Sequence, residues 1–121
     1  MRKNHGMSDA GVLLIAEIHG RSGLAGELRS VLEQLVEASR GEEQECTGFR
    51  LLAGDEPGEF VLLGSWSSET GMRGHYATDH YRRYRDQVGP LLARSSDVVV
   101  HHIDYSVHAL DPNPPDPGLL G

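Results

Sequence analysis

The sequence predicts an α+β domain of the split, ferredoxin-like β-α-β-β-α-β type, with two helices packed on one face of an antiparallel sheet. Three observations carry this. Residues 24 to 36 hold one stripe of apolar side chains at helical spacing. Four short segments elsewhere are rich in β-branched and aromatic residues. A turn-forming cluster joins the second and third of these segments directly, with no helix between them.

The first strand is Val12 to His19, apolar on both faces at its start and alternating later, which suits a central strand. Gly20 to Gly23 ends it, and Ser22 is the expected N-cap of the helix that follows. Leu24, Leu28, Val31, Leu32, Leu35 and Val36 form the stripe of that helix, and Arg40 and Gly41 are expected in its last turn and C′ position. Cys46 to Leu52 and Phe60 to Trp66 read as a hairpin around Gly54-Asp55-Glu56-Pro57-Gly58. Ser67 and Ser68 offer a cap for a short helix reaching Tyr76. Thr78 or Asp79 caps another, with Tyr81, Tyr84, Val88, Leu91 and Leu92 on one face. Asp97 to Tyr105 is the closing strand.

The folded unit is thus expected over residues 11–108. Residues 1–10 lack apolar periodicity and read as a flexible lead. Residues 109–121 hold four of the six prolines and read as an extended tail. At 121 residues there is room for one domain. Eleven Lys and Arg against 18 Asp and Glu give a formal charge of −7, which disfavours nucleic acid and anionic membrane surfaces. No apolar run approaches the length of a membrane span or a secretory signal. A single cysteine, Cys46, makes no internal disulfide, and a cytoplasmic location is expected. Both faces of the first strand are apolar, with Leu13 and Ile15 opposite Val12 and Leu14. Covering the second face with another copy of the chain predicts a homodimer.

Seven histidines make metal binding the first question. His75 and His80 are five residues apart, a rotation of about 140° on a continuous helix, unlike the i, i+4 pair of a zinc helix. A break at Ala77-Thr78 would let them converge, yet no cysteine and no Asp or Glu spacing completes a ligand set. His101 and His102 point to opposite faces of a strand. No metal is therefore expected, and Glu42, Glu43 and Glu45 read as a solvated charge run. The histidines remain candidates for acid–base work, because an imidazole titrates near neutrality. His80 lies in a first helical turn and reads equally as a surface residue. His75 stands among glycines beside Tyr76. Trp66, at the end of a strand, is either core or a flat wall for an aromatic ligand. Of Arg82, Arg83 and Arg85, helical spacing puts Arg85 nearest the buried stripe.

"LLIAEIHGRSG" before an amphipathic helix, then "ECTGFRLL", "EFVLLGSW", "GHYATDHY" and the final Val-rich strand together resemble the antibiotic biosynthesis monooxygenase (ABM) domain. The most specific piece is His75-Tyr76-Ala77-Thr78-Asp79-His80-Tyr81, which is similar to that family's H-x-x-T-P-H pattern. The resemblance covers about residues 12 to 105 and implies a ferredoxin-like fold that dimerises into an α+β barrel. It implies oxidation of an anthrone, quinol or other small aromatic polyketide to a quinone by O₂ as co-substrate, with no resident cofactor. His75 or His80 would be the base, Trp66 the aromatic wall and Arg85 the partner of a substrate anion. Tyr76 and Tyr81 would line the substrate site. Leu62 stands where quinone-forming members carry an asparagine, Gly64 where many have a glutamate, and Asp79 where a proline is usual. The haem-degrading branch uses Asn, Trp and His where this chain has Ile18, His75 and Arg85, so haem degradation is not expected. The alternatives are an isomerase or cyclase on an enolisable substrate, and a non-catalytic small-ligand-binding dimer.

Overall fold

In a computed structural model, residues 11–103 are described. The expected lead at 1–10, the last residues of the domain and of the closing strand, and the tail at 109–121 lie outside them. In chain order the elements are β1 (Val12–His19), α1 (Ala25–Glu42), β2 (Cys46–Ala53), β3 (Glu59–Trp66), α2 (Glu69–Tyr76) and α3 (Asp79–Val88). A 3₁₀ turn, Gly89–Leu91, then leads to β4 (Asp97–His102). The sheet order is β2-β3-β1-β4, and every neighbouring pair is antiparallel. This is the ferredoxin-like arrangement, with the first and third strands central.

Alternation along β1 divides the sheet into two faces. Val12, Leu14, Ala16 and Ile18 point to the helices and sit opposite Trp66, Gly64, Leu62 and Phe60 of β3. Phe49 of β2 joins them, paired with Gly64. Leu28, Leu32 and Leu35 of α1, Met72 of α2 and Val88 of α3 close the layer, and all these large apolar side chains are buried. Each contributes roughly 1.5–3 kcal/mol by leaving water. Gly64 is required here. A Cβ at that position would stand 2.8 Å from the Trp66 ring and 3.1 Å from Phe49, so the bare backbone is the shelf on which the indole lies.

The second face carries Leu13, Ile15, Val61, Leu63 and Val99, with Glu17, His19, Glu59 and Asp97 toward one end. Val99 is 51 % exposed, so no element of the described chain covers this face. No described helix is long and apolar enough to cross a membrane.

Both ends of α1 differ from expectation. Ser22 does not cap the helix. It occupies the second position of a turn in which the N–H of Leu24 donates to the carbonyl of Arg21, with Gly23 at φ +85° in the third. That conformation favours glycine and defines a type II turn. Leu24 is then the N-cap, without a side-chain bond. At the other end Gly41 remains helical, and the chain leaves α1 at Glu43 in an extended conformation (φ −96°, ψ 115°). That exit turns Glu43 inward.

Candidate functional site

The Glu43 side chain is only 8 % exposed, which overturns the reading of Glu42, Glu43 and Glu45 as a solvated charge run. Glu42 is exposed, but Glu45 accepts hydrogen bonds from the hydroxyls of Ser67 (2.9 Å) and Ser68 (2.5 Å), fastening the corner between β3 and α2. Glu43 does more. Its Oε1 accepts the indole N–H of Trp66 at 2.8 Å. Its Oε2 accepts from His75 Nδ1 at 2.7 Å and from His80 Nε2 at 2.5 Å. One carboxylate thus gathers three ring N–H groups from a strand and two helices.

The convergence of the histidines follows from the break between α2 and α3. Ser68 caps α2 by accepting from the N–H of Gly71. Thr78 caps α3 by accepting from Tyr81 N–H at 3.1 Å, and the same hydroxyl donates to the carbonyl of His75 at 2.7 Å. Thr78 therefore ties the last turn of one helix to the first turn of the next. The rings of His75 and His80 come to 6.0 Å between centroids, rather than diverging as on one continuous helix. The expectation that no acidic residue completes this pair is corrected by Glu43, whose carboxylate lies with both imidazoles inside one 4.8 Å cluster.

Burial alone would raise the Glu43 carboxyl, but the hydrogen bonds from His80, Trp66 and His75 outweigh it and hold it below the ordinary 4.5. It is an anion at neutral pH, so each nitrogen facing it carries a proton. Burial pushes His75 below its ordinary 6.5 against the pull of Glu43, which leaves the ring neutral. With its proton on Nδ1, His75 keeps a lone pair on Nε2.

His75 lines a cavity of about 180 Å³ between the sheet and the helices. Leu14, Ala16, Phe49 and Leu62 form its sheet side, and Tyr76, Tyr81, Tyr84, Arg85 and Val88 its helix side. The tyrosines stack edgewise, with Tyr76 and Tyr81 at 4.8 Å between centroids and Tyr81 5.2 Å from His75. Tyr84 is pushed up to about 12 by burial and by its neighbours Tyr81 and Tyr76, and burial likewise raises Tyr76. Both phenols are hydrogen-bond donors at neutral pH. No carboxylate of the described residues pairs with Arg85.

Of the residues singled out in the sequence, His75, Tyr76, Tyr81 and Arg85 meet at this cavity. Trp66 and His80 do not line it. Trp66 is 1 % exposed and packs behind His75 at 5.1 Å between centroids, and His80 is also buried. Both reach the site through Glu43. Glu43 itself is the residue that sequence reasoning missed, although a signal existed. The buried positions of α1 are Leu28, Leu32, Leu35 and Ser39, and one further step of four lands on residue 43.

Residues 11–87 match the family model described as "Antibiotic biosynthesis monooxygenase". The chain is 33% identical over 89 residues to "Putative monooxygenase Rv0793" of Mycobacterium tuberculosis, an alignment covering 74% of this chain and 87% of that one. The solved structure of Rv0793 superposes with a TM-score of 0.71 over 75% of this chain and 92% of the other, at 32% identity. PA3566 from Pseudomonas aeruginosa superposes at 0.70 over 84% and 99%, at 25% identity. A Nitrosomonas europaea structure at 22% identity, with a TM-score of 0.71 over 74% and 95%, shares the fold.

Proposed function

The chain belongs to the antibiotic biosynthesis monooxygenase family, and we propose that it oxidises a small aromatic anthrone, quinol or related polyketide with O₂, using no resident cofactor. The observation that carries this reading is the Glu43–His75 pair. A buried carboxylate fixes the proton of His75 on Nδ1, and the lone pair of Nε2 is left for the cavity that the ring lines.

The chemistry follows from that tautomer. Nε2 takes a proton from the activated carbon or phenol of the substrate, and Glu43 stabilises the imidazolium that forms. Arg85 and the phenols of Tyr76, Tyr81 and Tyr84 face the anion, in a cavity whose sheet side is apolar. The electron-rich anion reduces O₂ and forms a C–O bond. The resulting peroxide recovers the proton from His75, and loss of water leaves the carbonyl of the quinone. For an anthrone the sum is R₂CH₂ + O₂ → R₂C=O + H₂O. His80 and Trp66 are positioning residues in this scheme, holding Glu43 rather than touching substrate. Leu62 on the sheet side supplies shape and no hydrogen bond, which favours an aromatic edge against that wall.

The functional unit is proposed to be a homodimer joined through the uncovered face of the sheet. The apolar row of Leu13, Ile15, Leu63 and Val99 supports this.

Oxygen consumption by the pure protein, presented with a panel of anthrones and hydroquinones, tests the reading. For metal-stripped protein, uptake that is insensitive to chelator and falls by on the order of 10² in His75→Ala is expected. No enzyme-dependent uptake across the panel would overturn the oxygenase reading, and unchanged uptake in His75→Ala would overturn the role of the imidazole.

A further inference from the structure

We propose that Glu43, His75 and His80 form a binding site for one divalent transition-metal ion of the Zn²⁺ class, and that its occupancy moves the proton of His75 from Nδ1 to Nε2.

His75 Nδ1 and His80 Nε2 both aim at Glu43 Oε2, at 2.7 and 2.5 Å. Zinc–imidazole bonds are about 2.0–2.1 Å long. An ion placed along both nitrogen directions therefore sits close to the present position of Oε2, and the carboxylate only has to turn back to become its third ligand. Two imidazoles and a carboxylate are a ligand set suited to zinc and its neighbours. The side chains are 3 %, 5 % and 8 % exposed, so little solvent has to be displaced. The buried hydroxyl of Ser39, 3.4 Å from His75 Nδ1, adds a further oxygen next to this pair.

The outer contacts of a metal site are also in place. Trp66 N–H holds Oε1 of Glu43. Glu42 Oε1 lies 3.6 Å from His80 Nδ1, where it would accept the proton that the ring carries once Nε2 binds metal. Binding takes the proton from Nε2 of His80 and leaves one on Nδ1, toward Glu42. His75 shifts its own from Nδ1 to Nε2, toward the cavity, and Glu43 stays ionised. The ion would not touch substrate, because Glu43 and His80 do not line the cavity. If His75 acts as proposed above, the lone pair that takes the substrate proton disappears, so the ion is an inhibitor. That consequence rests on the oxygenase reading, whereas binding and the tautomer shift do not.

Titration of the untagged, metal-free chain with Co²⁺, followed by its visible ligand-field absorption and competed with Zn²⁺, tests the site. One Co²⁺ per chain is expected, bound on the order of 10²-fold more weakly in His80→Ala, and roughly 10-fold more weakly in Glu42→Gln. His19→Ala, which removes the exposed cluster of Glu17, His19 and Asp97 on the other sheet face, is expected to leave binding unchanged. Long-range ¹H–¹⁵N spectra of the wild-type rings should show His75 passing from the Nδ1–H to the Nε2–H form on adding Zn²⁺, a readout that needs no variant to fold. Absence of saturable binding, equal binding by a folded His80→Ala chain, or an unchanged His75 tautomer would each overturn the proposal. A tautomer shift on a protein that consumes no oxygen would support the metal site and count against the oxygenase reading alone.

Discussion

Removing the carboxylate of Glu43 strands three ring N–H groups in a region closed to water, and each buried donor without a partner costs roughly 1–3 kcal/mol. Glu43→Ala is therefore expected to lower stability by about 3 kcal/mol, read as a fall in the denaturant midpoint at unchanged slope. Glu43→Gln keeps an acceptor oxygen but turns an amide toward two imidazoles. Its expected signature is a fall in kcat on the order of 10², with a smaller loss of stability. A second residue-scale test concerns Tyr84, whose phenol is held up to about 12 in the folded chain against an ordinary 10. The folded state keeps this proton where the unfolded state has released it. The associated stabilisation is therefore intact below pH 10 and is lost as the pH rises to about 12. An alkaline denaturation series should lose that slope in Tyr84→Phe. The sequence singled out His75, Tyr76, Tyr81 and Arg85, which line one cavity, because each carries its chemistry in its own side chain and sits in a recognisable local pattern. Glu43 stayed hidden because its role depends on the backbone leaving α1 in an extended conformation, which no single side chain announces.

The break between α2 and α3 is the device that makes two histidines five residues apart meet. It rests on Thr78, which accepts from Tyr81 N–H and donates to the carbonyl of His75. Thr78→Ala is expected to cost about 1 kcal/mol, a fall in Tm of roughly 4–8 °C for a domain of this size. It should also reduce turnover, because His75 and His80 lose their fixed separation, while Thr78→Ser should restore both. Element order was readable from the sequence, since the stripe of α1, the hairpin turn and the caps of α2 and α3 are local signals. The ends of α1 were not. Ser22 has the chemistry of a cap, but the positive φ of Gly23 places it within a turn instead. Gly41 has the chemistry of a helix stop, but the helix continues through it to Glu42 and so brings Glu43 to its three donors.

For the molecule as a whole, the uncovered sheet face sets the expected assembly. Leu13, Ile15, Leu63 and Val99 lie side by side across β1, β3 and β4. If the parent chain is the proposed dimer, placing a charge in their midst, as in Ile15→Asp, is expected to give a folded monomer by light scattering. A parent chain of monomeric mass at micromolar concentration would remove the dimer from the proposal. Leu13 and Ile15 made this face legible in the sequence, because alternation on a central strand leaves one apolar row without a helix to meet it. The three-donor carboxylate carries a different implication, for how such a sequence diverges. Losing either histidine leaves a buried anion short of a donor, and losing the glutamate leaves the donors short of an acceptor. No single-step path between these states is neutral, so positions 43, 75 and 80 are expected to be inherited as a unit. Descendants of this chain should keep all three or replace all three together.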